Sequence, residues 1–243
     1  MKKLFCVILS LAMLLTLAAC GPQEKPNDTT PPKTTGTQTE PPKTEPPKTE
    51  PPETEPPETN PPEADITAGV FADGVYTNEF LGLQCALEDN WYVFSSSELA
   101  QLVGVIADNV TDEDWAEILR NSGTAYVLYA QNLTDGSTIN IVLEKLNAIQ
   151  GILITPEQYA QASVDQLPAA LEASGATNVT AQAGSASFAG EPHTSIAVRC
   201  DIGGIALYET MIVRKAGSYM ACITVGAQNE ERVEELLALF SSI

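Results

Sequence analysis

Paired prolines repeat before residue 64 and confine folding to the rest of the chain. From Pro41 the sequence reads Pro-Pro-Lys-Thr-Glu twice, then Pro-Pro-Glu-Thr-Glu, Pro-Pro-Glu-Thr-Asn and Pro-Pro-Glu. Proline fixes φ and lacks a backbone N–H, so neither helix nor sheet forms across such pairs. Residues 20–63 are therefore predicted to be a disordered, polyproline-II-like stalk, which reaches about 130 Å at ~3.1 Å per residue. A single domain is expected over residues 64–243.

Residues 1–19 have the layout of a signal peptide. Two lysines precede an uncharged apolar run, and this run is short for a membrane-spanning helix. The run ends Leu-Ala-Ala-Cys20, which resembles the lipobox of bacterial lipoproteins. The resemblance implies cleavage before Cys20 and attachment of diacylglycerol to its thiol, with acyl chains such as palmitate giving lasting membrane attachment. An ordinary cleaved signal peptide or a single N-terminal membrane helix is the alternative.

A lipid on Cys20 predicts a location on the extracytoplasmic face of the cell membrane, at the cell surface. The stalk has the length needed to carry a domain through a thick cell wall. A linker of unselected length, or a ligand for proline-recognising modules, is the other interpretation of the same residues.

The domain at residues 64–243 is strongly acidic. It holds 23 acidic and six basic residues, a net charge of −17. The basic residues are Arg120, Lys145, Arg199, Arg214, Lys215 and Arg232. Such a charge repels phosphate backbones and disfavours nucleic acid as a partner, while it suits solubility and attracts cations or basic partners.

Three cysteines, Cys85, Cys200 and Cys222, remain in the domain. An odd number leaves at least one thiol unpaired, and each lies among apolar residues of an expected strand. We therefore expect small buried hydrophobic side chains, with a Cys200–Cys222 disulfide left open. His193 is the only histidine, so a Cys/His zinc site is not expected.

Local signals place four helices and several strands. Capping boxes predict helices that begin after Ser95 and Thr155, and acidic residues in a first turn predict another that starts at Thr111. Asn229 opens a last helix that carries Phe240 on its inner face. Gly123 ends the second helix, and Pro168 is expected to kink the third. Strands are expected at Leu81–Leu87, Trp91–Phe94, Thr124–Gln131, Thr138–Lys145, Thr194–Cys200, Ile205–Lys215 and Ser218–Val225. Hairpins mixed with separate helices predict an α+β fold with a mainly antiparallel sheet flanked by helices.

Several short motifs resemble the PsbP-like family, which includes the photosystem extrinsic protein, bacterial DcrB-type lipoproteins and the Mog-type Ran-binding fold. The matching residues are Gly74, Tyr76, Asn78, Leu81-Gly82-Leu83, Trp91, Ala189-Gly190 and Tyr219. Glu88 and Asn90 depart from the Pro and Gly usual in the corner before the Trp. The resemblance spans most of residues 74–243 and implies an α/β/α sandwich with a non-enzymatic accessory or binding role.

Candidate chemical groups each have a plainer structural interpretation. His193 is expected in a surface turn, and no Gly-x-Ser-x-Gly nucleophile motif accompanies it. Asp112-Glu113-Asp114 with Asp108 offers carboxylates for calcium, although a helix first turn already accounts for the first three. Asp201-Ile202-Gly203-Gly204 has no helix after it to cradle a phosphate and is expected to be a hairpin turn. Trp91 and Trp115 either line a ligand groove or fill the core.

The sequence thus predicts Cys20 as the lipidation site and no catalytic, cofactor-binding or metal-binding residue. We expect a monomeric, membrane-tethered lipoprotein whose domain is a non-enzymatic accessory or binding module for an envelope protein or glycan. The alternatives are a surface hydrolase acting on cell-wall or host polymers and a small-solute receptor.

Overall fold

A computed structural model describes residues 66–105, 110–147, 151 and 153–243. The predicted signal peptide, Cys20 and the stalk at residues 20–63 lie outside the described residues. Ile106, Asp108 and the side chain of Asp112 lie outside them as well. No helix in the described ranges is long and apolar enough to cross a membrane.

Five helices and eleven strands make up the described domain. The helices are α1 (Ser96–Leu102), α2 (Asp112–Ser122), α3 (Pro156–Val164), α4 (Leu167–Ala173) and α5 (Glu230–Leu237). The strands are β1 (Val70–Ala72), β2 (Val75–Asn78), β3 (Leu83–Ala86), β4 (Trp91–Val93), β5 (Thr124–Asn132), β6 (Thr138–Lys145), β7 (Thr177–Phe188), β8 (Glu191–Ile202), β9 (Ile205–Ala216), β10 (Tyr219–Ala227) and β11 (Phe240–Ser242).

A seven-stranded antiparallel sheet forms the centre of the domain, in the order β4-β5-β6-β10-β9-β8-β7. After β6 the chain passes through α3 and α4 to the far edge and returns as the meander β7 to β10. β10 lies in the middle, and all of its residues are buried. Both faces of the sheet therefore carry packed layers at its centre.

One face of the sheet is covered by helices. Tyr159 of α3 donates a hydrogen bond from its hydroxyl to Glu144 Oε2 on β6 at 2.7 Å. On the same helix, Glu157 Oε1 accepts from the hydroxyl of Thr194 on β8 at 2.8 Å. α4 packs against β7, with Leu171 fully buried.

The opposite face carries a second, four-stranded sheet, β1-β2-β3-β11, together with α5. Phe240 of β11 packs on Phe188 of β7 with ring centroids 4.9 Å apart, and Phe80 packs edge-on against Tyr219 of β10 at 6.0 Å. The α+β fold class with a mainly antiparallel sheet is confirmed. The outer layer on this face differs from the helices of a simple α/β/α sandwich, because the short terminal strands pair with one another there.

The predicted helix starts are confirmed by their caps. Ser95, Thr111 and Thr155 each form a capping box, and the Asn229 side chain caps α5. Gly123 ends α2 in the left-handed conformation, φ +72°. These signals are reliable because they satisfy backbone N–H groups that a helix leaves unpaired.

Three expectations differ from the structure. The third helix does not merely kink at Pro168 but divides into α3 and α4, with Pro168 in the first turn of α4 where its missing N–H is tolerated. Phe240 lies in β11 and not in the last helix. His193 lies within β8 and not in a turn, because the two-residue turn at Ala189-Gly190 comes earlier. The strand β7 was not expected from the sequence.

Candidate functional site

A groove of about 610 Å³ lies between α5 and the open part of the seven-stranded sheet. Its floor is formed by residues of β7, β8 and β9 that share one face, among them Gln182, Ser195, Ala197 and Thr210. Most of these side chains are small or uncharged, so a bound chain can approach the sheet closely. Two other pockets lined by described residues are smaller, at about 470 and 240 Å³.

The wall of the groove is the acidic side of α5. Glu230 and Glu234 lie one helical turn apart on it and are exposed, while Val233 and Leu237 beside them are buried. The carboxylates therefore stand at the groove over an apolar base. This arrangement favours a ligand that presents positive charge to the helix.

Ion pairs hold α5 in place. Arg232 Nε lies 3.0 Å from Asp135 Oδ2 in the turn between β5 and β6, and its Nη1 lies 2.8 Å from Glu235 Oε2. Burial opposes ionisation of Asp135, but hydrogen bonds from Ser137, followed by the charge of Arg232, lower its pKa. The pairs are half exposed, so they orient the helix more than they stabilise the fold.

A cationic side chain closes one end of the groove. The guanidinium carbon of Arg199 on β8 lies 5.3 Å from the ring centroid of Tyr208 on β9. This is a cation–π contact, in which the ring face attracts the positive charge. The face of the Tyr208 ring is therefore occupied by a side chain of the protein.

The groove opens at β7, an edge strand of the sheet. β7 is twelve residues long and contains neither proline nor a charged residue. Within the described chain, β8 is its only strand neighbour. Natural edge strands are usually short, charged or interrupted, because an unprotected edge pairs with other strands. β7 lacks these protections over most of its length.

The register identifies the free backbone groups of this edge. Phe188 and Glu191 flank the two-residue turn and therefore form a hydrogen-bonded pair. Hydrogen-bonded and non-hydrogen-bonded pairs then alternate along the ladder. The backbone N–H and C=O groups of Ser187, Ser185, Ala183 and Ala181 consequently point away from β8, toward the edge.

The enclosed face of the same strands carries a different set of groups. Glu209 lies between Tyr208 and Thr210, so its side chain points to the face opposite the groove. It is 4% exposed, and no hydrogen bond or ion pair joins it to another described residue. Burial raises its pKa from 4.5 to about 7.

Four more polar residues share this face and are buried: Tyr129, Thr138, Asn140 and Thr224. The register places Glu209 opposite Gly226, Gly226 opposite Thr138, and Asn140 between Thr224 and Tyr129. Asn140 Oδ1 has no hydrogen-bond partner in the described structure. These four residues and Glu209 are called the Glu209 cluster below.

The other candidate residues from the sequence lie outside both the groove and the Glu209 cluster. His193 packs edge-on against Phe188 at 5.8 Å, and burial, followed by the charge of Arg214, lowers its pKa. Asp114 is engaged by Thr111, whose N–H and hydroxyl donate to Oδ2 at 2.6 and 2.8 Å. No group of three His, Cys, Asp or Glu residues that could hold a metal ion occurs within the described ranges.

The tryptophans and cysteines belong to the core. Trp91 and Trp115 are both buried, although Trp115 Nε1 lacks a hydrogen-bond partner among the described groups. Cys85, Cys200 and Cys222 are free and buried. Cys200 and Cys222 lie on β8 and β10, which are separated by β9, so the disulfide left open by the sequence does not form. Gly203-Gly204 forms the predicted turn between β8 and β9, and Asp201 and Ile202 lie at the end of β8.

The sequence contained a signal for the Glu209 cluster that the pattern analysis missed. Along β9, Leu207, Met211 and Val213 alternate with residues on the groove side of the sheet, such as Tyr208 and Thr210. Glu209 stands in the same apolar register, and a charged residue at an inward position of a strand is a site candidate. β7 offered no such signal, because its alanines, serines and threonines lack an apolar alternation.

The fold and the groove together define a mainly antiparallel α+β domain with a long edge strand at β7. No protein-family model matches this chain, and no curated protein matches it. The resemblance to the PsbP-like family therefore stays a prediction.

Two solved structures resemble this chain, both with low TM-scores and low sequence identity. One is LpqN, described as involved in cell envelope biogenesis of Mycobacterium tuberculosis, with 10% identity and a TM-score of 0.36 over 65% of this chain and 82% of LpqN. The other comes from Bacteroides thetaiotaomicron, with 9% identity and a TM-score of 0.35 over 70% of this chain and 48% of that one. Likenesses this distant assign no function to this chain.

Proposed function

We propose that this protein is a lipid-anchored extracytoplasmic accessory protein whose domain binds an extended, basic segment of an envelope protein as an added strand on β7. The observation that carries the proposal is the twelve-residue, uncharged edge beside an acidic groove. The lipid on Cys20 and the stalk would hold this edge away from the membrane.

Strand addition uses the free backbone groups of the edge. A strand laid beside β7 would pair with the outward groups of Ala181, Ala183, Ser185 and Ser187, and this pairing supplies affinity for any extended sequence. Alternate side chains of the added strand would lie on the groove side of the sheet, where they can reach Glu230 and Glu234. Lysine or arginine at those positions would supply the specificity.

A protein segment fits the groove better than a glycan does. Sugar rings commonly stack on exposed aromatic faces, but the face of Tyr208 already carries the guanidinium of Arg199. A neutral glycan would also leave the carboxylates of α5 without a counter-charge. The domain charge of −17 favours a basic partner in the same way. A hydrolase and a small-solute receptor stay predictions from the sequence.

Binding at β7 can be tested with a peptide of alternating valine and lysine, and with a valine–glutamate peptide as its matched control. The full chain, kept in detergent, should bind the lysine peptide and bind the glutamate peptide much more weakly in isothermal titration calorimetry. Equal affinity for the two peptides would contradict the role of the acidic wall. No binding of either would contradict strand addition.

The anchor is tested separately with Cys20→Ser. The variant should no longer incorporate a palmitate analogue and should leave the membrane fraction of lysed cells, because the thiol that accepts the lipid is gone. Cys85→Ser, which removes a buried thiol, is the control and should stay acylated. Acylated, membrane-bound Cys20→Ser protein would show that the lipobox interpretation is wrong.

A further inference from the structure

We propose that the segment bound at β7 is amphipathic, with branched apolar side chains on the face that meets the helices and basic side chains on the face that meets the groove. This inference rests on the strand addition proposed above and names the chemistry of the second face of the added strand. Ala181 and Ala183 of β7 are the residues that select the apolar side chains.

The two alanines lie on the enclosed face of the sheet. Ser185 lies opposite Thr194 in the register, and Thr194 donates its hydroxyl to Glu157 of α3 at 2.8 Å. This pair is therefore on the helical side. Alternate residues of a strand share a face, so Ala183 and Ala181 point to the helical side together with Ser185. The matching face of an added strand would lie beside the helices as well.

Each alanine ends a row of core residues. Ala183 lies opposite Ile196 and Ala181 lies opposite Val198, and both of these β8 side chains are buried. The alanines also pack against the core, but they are only partly buried. The apolar layer thus stops at β7 with an uncovered flank. An apolar side chain on an added strand would cover this flank and continue the two rows.

The helix α4 borders the same flank. It packs against β7, and no strand of the described chain lies beyond β7. Ala169 and Ala173 of α4 are exposed, and Glu172 is the only charged residue of the helix. A side chain of the added strand that faces the helical layer would therefore lie beside a mainly apolar helix.

The groove imposes the opposite preference on the other face. Thr180 and Gln182 of β7 are exposed and line the groove with Glu230 and Glu234. Because successive side chains of a strand point to opposite faces, one set would meet the carboxylates and the other set the alanines. A slip of one residue would exchange the two sets and place lysines against the apolar flank. The amphipathic pattern therefore also fixes the register of the bound segment.

The test compares the valine–lysine peptide with a threonine–lysine peptide of the same length, by isothermal titration calorimetry on the full chain in detergent. Threonine is β-branched like valine and has a similar strand preference, but it carries a hydroxyl in place of a methyl group. The wild type should bind the valine peptide about tenfold more tightly, because two valines lose water-exposed apolar surface against the alanines.

A pair of matched variants locates the preference on one face. Ala183→Asn and Gln182→Asn place the same neutral polar side chain on neighbouring residues that point to opposite sides. In Ala183→Asn the preference for valine should fall from about tenfold to a few-fold, because one of the two alanines remains. Gln182→Asn should keep the full preference. Ala183→Ser is a milder variant that should also reduce it, and circular dichroism establishes that each variant is folded.

Three results would overturn the proposal. They are equal or tighter binding of the threonine peptide by the wild type, an unchanged preference in folded Ala183→Asn and Ala183→Ser, and an equal loss of preference in Ala183→Asn and Gln182→Asn. Each of these would leave strand addition at β7 standing, since both peptides still bind. Absence of binding by either peptide would instead contradict strand addition itself, and this proposal with it.

Discussion

The two faces of the sheet at β7, β8 and β9 differ sharply although they are built from alternate residues of the same strands. On the open face, Tyr208 and Thr210 line a groove beside the acidic side of α5. On the enclosed face, Glu209 between them is buried beneath the helical layer. The period of two along a strand thus lets neighbouring residues serve separate purposes. A one-residue change can be aimed at either face alone.

The largest expected difference between the faces is in folding stability. Leu171→Ala, on α4 above the enclosed face, should lower the free energy of unfolding by about 2–5 kcal/mol, because it leaves a cavity in a fully buried site. Gln182→Ala, on the open face, should change it by less than about 0.5 kcal/mol. Urea denaturation of both variants measures the contrast, and equal losses would mean that the open face is also packed.

The next effect concerns the pH dependence of stability. The carboxyl of Glu209 has an ordinary pKa of 4.5 and a folded pKa of about 7. The folded state therefore binds this proton more tightly than the unfolded state does. The resulting contribution to folding stability is complete below about pH 4.5 and is lost as the pH rises to about 7, a loss of roughly 3 kcal/mol. Unfolding free energies measured across this range should fall in the wild type relative to Glu209→Gln. A constant difference between the two would show that the carboxyl is not buried.

A smaller effect is expected for binding at the open edge. Ser185→Pro removes an outward N–H without breaking the ladder to β8, and should weaken binding of the valine–lysine peptide about tenfold, through one lost hydrogen bond and a local misfit. Ser185→Ala keeps the N–H and is the control. Calorimetry with normal binding by the proline variant would exclude pairing at this part of β7.

The smallest effect belongs to the acidic wall. The double variant Glu230→Gln and Glu234→Gln should reduce peptide affinity a few-fold, because each exposed ion pair contributes only about 0.2–1 kcal/mol. The salt dependence of binding should weaken with it. Glu172→Gln, an exposed acid on α4, is a control that should keep both properties. An unchanged salt dependence in the double variant would place the charge complementarity elsewhere.

Features with local causes could be predicted from the sequence. The capped helix starts at Ser95, Thr111, Thr155 and Asn229 depend on residues within one turn, and the hairpin turns depend on glycines that accept a positive φ. The α+β class followed from these elements. They are stable in their own neighbourhood, so their signals appear in short windows of sequence.

Features with distant causes could not be predicted in this way. β11 is three residues long and pairs with β3, more than 150 positions earlier. Nothing near Phe240 in the sequence signals this pairing, and Phe240 also fits the apolar spacing of the preceding helix. β7 is a strand because β8 pairs with it, and its small side chains carry no apolar period. The open edge that supports the proposed function was therefore invisible until the sheet order was known.

Site-resolved amide hydrogen exchange tests the open edge most directly. Exchange is measured on the full chain, alone and with the valine–lysine peptide. Strand addition predicts that the peptide slows exchange at Ala181, Ala183, Ser185 and Ser187 while Gln182 and Gly184, already paired with β8, change little. Unchanged exchange at the outward set, or equal slowing at both sets, would contradict the account.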